Sequence, residues 1–435
     1  MIPLYSWPSQ EALNKIRPRD CNDDVLREQV AAIVQDVKLR GDQALLEYTA
    51  AFDGCSLTPE TLRVGGEELA LAYQKVGEPF LRALREAKKN ILQFHQRQKR
   101  QDWFTQDGNG SLVGQVYRPL DRVGIYVPGG TASYPSSVLM TALPAVVAGV
   151  PEIVMVTPAG KEGSVPAATL AAAGEAGVTE IYRIGGAQAI AALAFGTQMI
   201  RRVDKIVGPG NIYVTLAKKM VFGTVGIDML AGPSEILIIG DGTADAAFAA
   251  ADLLSQAEHD SRARAILVTC NKAWADEVCA QLEKQIVRLP RQTMAAEALE
   301  KNGAVVLVKD LEEAFEVANL MAPEHLELLL ASPLDNLIKV RHAGAVFLGP
   351  YSPEPVGDYW AGPNHVLPTG GAARYASPLT VDDYCKRSSI IQYTRPGLEQ
   401  AEGSIRLLTE TEGLTAHGAA VAARGNAARG NKEVK

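Results

Sequence analysis

The stretch RVGIYVPGG, residues 122–130, decides the fold of this chain. Its apolar start predicts a short β-strand, its Pro and glycines predict a turn, and the apolar run that follows at 135–150 predicts a helix. The same succession begins again at EIVMVTPAG (residue 152), EIYRIGGAQ (residue 180) and KIVGPGN (residue 205). Short β-branched runs that alternate with helices predict a parallel sheet with helices on both faces.

A second set of strand patterns follows further along the chain: EILIIGDG at 235–242, RAILVTC at 264–270 and AVVLVKD at 304–310. So many strands fit two parallel sheets better than one, and AGPSE at 231–235 is the predicted crossing between them. We therefore expect an α/β fold of two Rossmann-like domains, with parallel sheets flanked by helices. DGNG at 107–110, between two further strand patterns, predicts a hairpin turn.

The composition is that of an ordinary soluble globular protein. The 435 residues are 47% hydrophobic and 21% charged, and the formal net charge is -7. A negative chain is a poor ligand for nucleic acid or an anionic membrane, so we expect neither as the main partner. No apolar run is long enough to span a bilayer, and the first residues lack the apolar core of a secretory signal. The five cysteines have no CxxC spacing, which predicts free thiols and a cytoplasmic location.

Three glycine-rich turns indicate a ligand. YVPGG, IGGAQ and GPGN each place glycines where a strand gives way to a helix, and such turns let backbone amides approach a phosphate. None has the GxGxxG spacing of the common dinucleotide fingerprint. Taken singly, each turn is also explained by the tight geometry of an α/β connection. Three in one domain predict an anionic or nucleotide ligand.

The apolar helical pattern before His259 ends in a polar cluster, LLSQAEHD. At roughly 100° per residue, Gln256 and His259 lie about 60° apart and share one helical face. His259, His417 and a loop carboxylate have the chemistry of zinc ligands. The carboxylates considered are Asp358 and Asp383. A solvated helix end explains the same charges, and no HxxxH or HExxH spacing is present, so these residues alone leave the metal site open.

Glu324 and His325 are adjacent in the segment MAPEHLELLL. Because Pro323 suits the first turn of a helix, we expect a helix here, with the two side chains about 100° apart near its N-terminus. A carboxylate beside an imidazole offers two proton acceptors of different pKa, which is useful for removing protons in sequence. An acidic residue that complements the helix dipole is the alternative explanation.

Residues 349–371 contain ten Gly or Pro, so we expect a long ordered loop here and no regular element. Long ordered loops in compact domains are usually functional. His365 lies inside this loop, where core packing does not explain an imidazole. The loop is therefore a predicted part of the functional site.

Together, these segments resemble the histidinol dehydrogenase family. The matching strings run in family order from about residue 20 to residue 425: VGIYVPGG, GGAQAIAALAFGT, VDKIVGPGN, IDMLAGPSE, DLLSQAEHD, APEHLEL, GDYWAGPNHVLPTGGAARYASPLTVDDY and EGLTAHGAA. Strings of this length are far more specific than any single catalytic triplet. The resemblance therefore implies a reaction and a set of site residues for nearly the whole chain.

The resemblance implies one zinc ion per subunit, with these ligands: Gln256, His259, Asp358 and His417 of the partner subunit. It assigns proton acceptance to Glu324 and His325. The implied substrate contacts are Ser234, Gln256, His259, His325, Asp358, His365, Glu412 and His417. The implied NAD contacts lie in the three glycine turns, at Tyr126, Gln188 and Asn211. To the family's set we add Glu258, as a group that orients a ligand.

The implied reaction is the NAD-dependent four-electron oxidation of L-histidinol to L-histidine through L-histidinaldehyde, the last steps of histidine biosynthesis, with two NAD⁺ consumed. The implied assembly is an intertwined homodimer with small helical extensions at both termini. The expected division is an N-terminal extension (1–22), a first α/β domain (23–120 with 235–375), an NAD-binding α/β domain (121–234) and a C-terminal helical arm (376–435).

Three other functions fit parts of the pattern. A zinc hydrolase would use Glu324 to activate water, but it leaves the glycine turns unexplained. A non-catalytic nucleotide- or amino-acid-binding protein would not need Glu324 or His325. A related dehydrogenase acting on another alcohol would keep the zinc and NAD sites. His365 and Glu412, which recognise the imidazole-bearing amino alcohol in the family, are intact and argue against it.

Overall fold

The computed structural model describes residues 2–17, 24–129 and 133–430. They form two compact units, the first drawn from Met1–Lys99 and Leu120–Tyr384 and the second from Arg100–Pro119 and Cys385–Lys435. The expectations for Cys21 and for Gly130 fall outside the described residues. Cys55, Cys270 and Cys279 are free thiols, as predicted.

The strands, in chain order, are β1 Leu4–Ser6, β2 Trp103–Gln106, β3 Leu112–Pro119, β4 Arg122–Tyr126, β5 Glu152–Thr157, β6 Glu180–Arg183, β7 Lys205–Val207, β8 Gly226–Ile227, β9 Glu235–Gly240, β10 Arg264–Thr269, β11 Ala304–Leu307, β12 His325–Leu329, β13 Ala345–Leu348 and β14 Cys385–Gln392.

The α-helices are α1 Gln10–Ile16, α2 Asp24–Arg40, α3 Asp42–Asp53, α4 Pro59–Leu62, α5 Gly66–Gln96, α6 Pro135–Ala148, α7 Ala167–Ala176, α8 Gly186–Phe195, α9 Ile212–Val221, α10 Ala246–Ala257, α11 Lys272–Ile286, α12 Gln292–Asn302, α13 Leu311–Met321, α14 Pro333–Asn336, α15 Glu354–Val356, α16 Arg395–Thr411 and α17 Thr415–Gly430. Among the described helices, none is both long enough and apolar enough to cross a membrane.

The first unit contains a five-stranded parallel sheet in the order β6-β5-β4-β7-β8. The strand order reverses between β4 and β7, which is the switch point where open α/β sheets bind ligands. At this point Gly208 has a φ of +111°, and a Cβ there would lie 2.2 Å from the carbonyl oxygen of Tyr126. Only glycine therefore lets the ends of β4 and β7 approach so closely.

A six-stranded parallel sheet lies in the same unit, in the order β1-β11-β10-β9-β12-β13. Its last five strands repeat the order of the first sheet, with a second switch point between β9 and β12. The chain passes from β8 to β9 through residues 228–234, so the predicted crossing at AGPSE is confirmed. The predicted α/β fold with two parallel sheets is confirmed as well.

The helices that cover the second sheet follow from sequence and packing. Asp245 caps α10 by accepting a hydrogen bond from the Ala247 amide at 2.8 Å. Along α10, Ala249, Leu253 and Ala257 recur at four-residue spacing and are fully buried against the sheet. Burial of a side chain such as Leu253 stabilises the fold by roughly 1.5–3 kcal/mol. The helix is therefore held firmly by one apolar face, and its last turn carries Gln256.

The second unit has an antiparallel sheet in the order β14-β3-β2, followed by α16 and α17. The pairing of β2 with β3 places a reversal of the chain at DGNG, so the predicted hairpin is confirmed. Ile391, Leu407 and Leu408 in this unit are 71%, 67% and 64% exposed. Exposed large apolar side chains of this kind are common where another protein surface binds.

Two sequence expectations differ from the structure. The prediction of a helix after Pro323 is wrong, because α13 ends at Met321 and His325 begins strand β12. Ala322 takes a left-handed φ of 50° between them, and the buried run HLELL suits a central parallel strand covered on both faces. Residues 349–371 are not wholly irregular, because they include α15 and a π-helical turn at Gly357–Ala361. The expected domain boundaries stay a prediction.

Candidate functional site

The candidate site lies at the second switch point, where β9 and β12 are neighbours. His325 begins β12 and pairs with Ile236 of β9, so the site is at the amino ends of these strands. The Gly/Pro-rich loop 349–371 reaches this edge, since the Gly370 amide donates to Glu235 Oε2 at 3.2 Å. Ligands of open α/β sheets usually bind at the carboxyl ends, so this site departs from the common pattern.

The His325 imidazole has a defined tautomer. Its Nδ1 lies 2.9 Å from the backbone carbonyl oxygen of Glu235. Because a carbonyl oxygen only accepts, Nδ1 must carry the proton, and Nε2 keeps a lone pair. Nε2 is buried and receives no hydrogen bond from the described residues. Burial lowers the pKa of His325, so the neutral ring with a free acceptor at Nε2 is favoured.

Glu324 is buried beside His325. Its Oε2 accepts a hydrogen bond from the Glu235 amide at 2.8 Å and lies 3.9 Å from His325 Nδ1. Burial raises the pKa of the Glu324 carboxyl well above its usual value, although the bond from Glu235 opposes this shift. A carboxylate with raised proton affinity is a stronger base than an ordinary surface glutamate.

Two further carboxyls come from the loop, Glu354 on α15 and Asp358 on the π-helical turn. His325 Nε2 lies 3.9 Å from Asp358 Oδ1, and donor atoms of His325, Glu354 and Asp358 lie within 4.8 Å of one another. Burial raises the pKa of Asp358 to about 6. Burial, and then the charge of Asp358, raise the pKa of Glu354 to about 7. A bound cation would relieve this crowding of buried acids.

Gln256 is fully buried, and neither Oε1 nor Nε2 of its amide has a hydrogen-bond partner among the described residues. A buried amide left without partners is costly, which indicates a ligand. The preceding residue, Ser255, donates its hydroxyl to Glu354 Oε2 at 2.9 Å. The helical turn that carries Gln256 is therefore tied directly to the acidic cluster.

His259 and His365 lie near the same cluster. Burial lowers the pKa of both His325 and His365, and the nearby His259, which is itself exposed, lowers both further. His365 Nδ1 is 4.0 Å from Asp358 Oδ2 and has no hydrogen-bond partner in the described part of the chain, while Nε2 is 3.4 Å from the Ser137 hydroxyl. Burial lowers the pKa of His365 to about 4, so its ring is neutral.

These donors fit a divalent cation. The orphaned amide of Gln256, the Asp358 carboxyl and neutral imidazole nitrogens are nitrogen and oxygen ligands of the kind that zinc accepts. Asp383, the other carboxylate considered, forms an ion pair with Lys205 at 3.0 Å and is thus occupied elsewhere. Glu354 was not identified as a site residue from the sequence. Its four-residue spacing from Asp358, one helical turn, was the available signal.

The remaining predicted contacts fall into two groups. Ser234 is half-buried just before β9, and its carbonyl accepts from the Arg264 amide at 3.0 Å. Glu412 and His417 lie in the second unit, at the end of α16 and in the first turn of α17, where both are exposed. Glu258 forms the C-cap of α10. The assigned roles of these residues stay predictions.

The three glycine turns lie at the carboxyl edge of the five-stranded sheet. Tyr126 ends β4, and its hydroxyl accepts from the Gly186 amide at 3.1 Å. Gln188 is buried in α8, and its Oε1 has no partner among the described residues. Asn211 caps α9 by accepting from the Tyr213 and Val214 amides, each at 3.1 Å. This edge has the geometry that binds nucleotides in doubly wound sheets.

The chain is similar to a consistent set of known proteins. A family model described as histidinol dehydrogenase matches residues 16–425. The chain is 54% identical to histidinol dehydrogenase from Heliobacterium mobile over 424 residues, covering 98% of this chain and 99% of that protein. It is 53% identical to histidinol dehydrogenase from Halalkalibacterium halodurans over 405 residues, covering 93% of this chain and 95% of that protein. The solved structure of histidinol dehydrogenase from Elizabethkingia anophelis has a TM-score of 0.94 at 38% identity. The match covers 98% of this chain and 99% of that chain.

Proposed function

The chain belongs to the histidinol dehydrogenase family, and from this premise we propose that it oxidises L-histidinol to L-histidine with two molecules of NAD⁺. One observation carries the proposed chemistry. His325 presents a buried Nε2 lone pair in a fixed tautomer, next to a glutamate of raised proton affinity. Two different bases at one point suit the removal of protons from different oxygen atoms that react at one bound carbon.

We propose that one zinc ion per subunit binds at Gln256, His259 and Asp358, with His417 of the partner subunit as the last ligand. The unpartnered Gln256 amide and the crowded Asp358 carboxyl support this assignment. When bound, zinc would act as a Lewis acid that anchors the imidazole and amine of histidinol. His365, Ser234 and Glu412 are the proposed additional contacts to the substrate.

In the proposed first oxidation, His325 Nε2 accepts the hydroxyl proton of histidinol as the carbon gives up a hydride to NAD⁺. Glu324 then removes a proton from water as the water oxygen adds to the aldehyde carbon. His325 returns its proton to the aldehyde oxygen, which completes the hydrate and frees Nε2 to accept again. In the second oxidation, His325 accepts a hydrate proton as a second hydride passes to a second NAD⁺. Keeping the reactive aldehyde bound between the two oxidations prevents side reactions.

We propose that NAD⁺ binds at the carboxyl edge of the five-stranded sheet, in contact with Tyr126, Gln188 and Asn211. The support is the switch point between β4 and β7 and the unpartnered Gln188 Oε1. Ser137, in the first turn of α6 on this sheet, lies 3.4 Å from His365. The proposed cofactor edge and the proposed substrate site are therefore adjacent within the first unit.

We also propose a homodimer, because one zinc ligand is assigned to the partner and the second unit exposes large apolar side chains. The intertwining of the two subunits and the domain boundaries given above remain predictions. The cytoplasm is the proposed compartment, since unbridged thiols suit a reducing environment.

The proposal is tested by His325→Asn. Loss of the acceptor should lower kcat for NADH formation by about 100-fold or more, as for other general bases. The zinc content should stay at one ion per subunit, because His325 is not among the proposed ligands. Loss of zinc from the variant would show that His325 is a ligand and that its role as the base is misassigned. Turnover of an ester or amide without NAD⁺ would instead indicate a zinc hydrolase.

A further inference from the structure

A buried pair of carboxyls lies behind the candidate site and has no part in the proposed chemistry. Glu327 is on β12, two residues after His325, and is fully buried. Asp252 is on α10, four residues before Gln256, and is 8% exposed. Strand and helix periodicity therefore place each carboxyl on the same face of its element as the functional residue it neighbours.

The two oxygens of Glu327 have different partners. Oε1 accepts a hydrogen bond from the backbone amide of Glu354 at 3.1 Å, at the start of the turn that carries Asp358. Oε2 is buried and receives no hydrogen bond from a permanent N–H or O–H donor in the described residues. Burial raises the pKa of both the Glu327 and the Asp252 carboxyl, and the neighbouring Asp252 raises that of Glu327 further, so one proton shared by the two groups is favoured.

Ser255 completes the connection between helix and loop. Its hydroxyl donates to Glu354 Oε2 at 2.9 Å and lies 3.2 Å from the carbonyl oxygen of Asp252. The carboxyl of Glu354 is in turn close to that of Asp358, with one oxygen of each within 4.8 Å of the other. Three elements that carry functional residues are thus tied together beneath the site: β12 with His325, α10 with Gln256, and the loop with Asp358.

We propose that Glu327 and Asp252 are positioning residues that hold the Asp358 turn and the Gln256 helix at the spacing that zinc requires. The inference rests on the proposed zinc site. The arrangement is costly, since buried acids are expensive even when they share a proton, and hydrophobic replacements of buried polar groups are often neutral or stabilising. The neighbours of Glu327 along β12 are leucines, Leu326 and Leu328, so leucine is compatible with the strand at position 327.

The test compares Glu327→Leu with Glu327→Gln in the full-length protein. Glutamine keeps an oxygen for the Glu354 amide and an N–H for Asp252, whereas leucine keeps neither. Zinc affinity is measured by competition with a chromogenic chelator, and amide hydrogen exchange over residues 354–361 is measured without metal. Leu170→Ala is the matched control, since Leu170 is buried in α7, the helix between β5 and β6 of the five-stranded sheet.

Glu327→Leu should weaken zinc binding by about 10- to 100-fold, the range seen when groups behind metal ligands are removed. It should also speed amide exchange at residues 354–361. Glu327→Gln should bind zinc within about threefold of the natural chain, and Leu170→Ala should leave zinc affinity unchanged. If Glu327→Leu does not fold, Asp252→Ala should weaken zinc binding in the same way, because it leaves Glu327 Oε2 unpaired.

Wild-type zinc affinity in Glu327→Leu, or equal losses in Glu327→Leu and Glu327→Gln, would overturn the positioning role and leave the zinc site itself intact. If the natural chain binds no zinc in the same competition, the proposed metal site fails, and this inference fails with it. The two failures are therefore distinguishable.

Discussion

At the scale of single residues, burial acts on Glu324 and His325 in opposite directions. It raises the pKa of the carboxyl and lowers that of the imidazole, because a charge of either sign is disfavoured away from water. His325 therefore stays neutral and able to accept a proton at neutral pH. Glu324 gains proton affinity, so it is suited to taking a proton from water. One environment thus suits both residues to their proposed roles as bases.

The raised pKa of Glu354 determines how the free energy of unfolding should depend on pH in the metal-free protein. The pKa of Glu354 is about 7 in the folded chain against an ordinary value of 4.5. A carboxyl with a raised folded pKa stabilises the fold fully below its unfolded pKa, and this contribution is lost as the pH rises through the folded pKa. Relative to Glu354→Gln, the free energy of unfolding should therefore fall by about 3 kcal/mol between about pH 4 and about pH 8.

Urea unfolding of chelator-treated protein and of the Glu354→Gln variant at several pH values measures this difference. Saturating zinc should flatten it, because a bound cation favours the ionised carboxyls. A difference that is independent of pH without metal, or that grows as the pH rises, would contradict the assigned environment of Glu354.

Residue types at the site could be predicted from sequence better than their partners. The Gln256–His259 spacing indicated possible metal ligands and the Glu324–His325 pair indicated possible proton acceptors. The resemblance to the family assigned them these roles. The tautomer of His325 was not readable, because it depends on a carbonyl 90 residues away in sequence. Glu354 and Glu327 were also missed. Glu354 had only its one-turn spacing from Asp358 as a signal, and Glu327 in a strand carries none until its buried neighbours are known.

At the scale of elements, the approach of β4 and β7 depends on Gly208. Its positive φ costs other residues about 1–3 kcal/mol, and a Cβ would meet the Tyr126 carbonyl oxygen at 2.2 Å. Gly208→Ala should therefore lower the free energy of unfolding by more than the strain alone. It should also raise KM for NAD⁺ about tenfold by displacing Tyr126.

Gly149 provides the matched control for this prediction. It has a φ of +91° at the end of α6, and a Cβ there would meet nothing within 4 Å. Gly149→Ala thus carries the backbone strain without the collision and should leave KM for NAD⁺ unchanged. Equal loss of stability in the two variants, with equal KM values, would show that the close approach at Gly208 has no functional consequence.

The elements themselves were predictable where a strand, a turn and a helix follow one another with clear periodicity. Both parallel sheets and the crossing between them followed from that pattern. The segment after Pro323 was not predictable in this way. A proline-led apolar run of this length suits a helix or a buried strand equally well, and its place between β9 and β13 decides for the strand.

At the scale of the whole molecule, the first unit joins two sheets that share a five-strand order, and the proposed function uses them at opposite ends. The proposed cofactor contacts lie at the carboxyl edge of one sheet, and the candidate bases lie at the amino edge of the other. Sequence pattern predicts the two sheets but not which edges meet, because that depends on the loop 349–371 and on α6.

The proposed dimer predicts complementation between two inactive variants. Gln256→Ala damages a subunit's own site, whereas His417→Asn damages the site of its partner. In a symmetric dimer, each mixed pair has one intact site, so random mixing should restore about a quarter of the activity. Co-refolding the two variants and measuring NADH formation tests this. No recovery at any mixing ratio, although mixed dimers form, would place His417 outside the partner's site.

The most direct test of the proposed function is the amount of NADH formed per molecule of L-histidinol consumed, with the product identified. The proposal predicts two NADH and L-histidine, with no free aldehyde, because both oxidations take place at one site with His325 as the base. One NADH with accumulating aldehyde would contradict the double oxidation. No NADH from L-histidinol would contradict the proposed substrate.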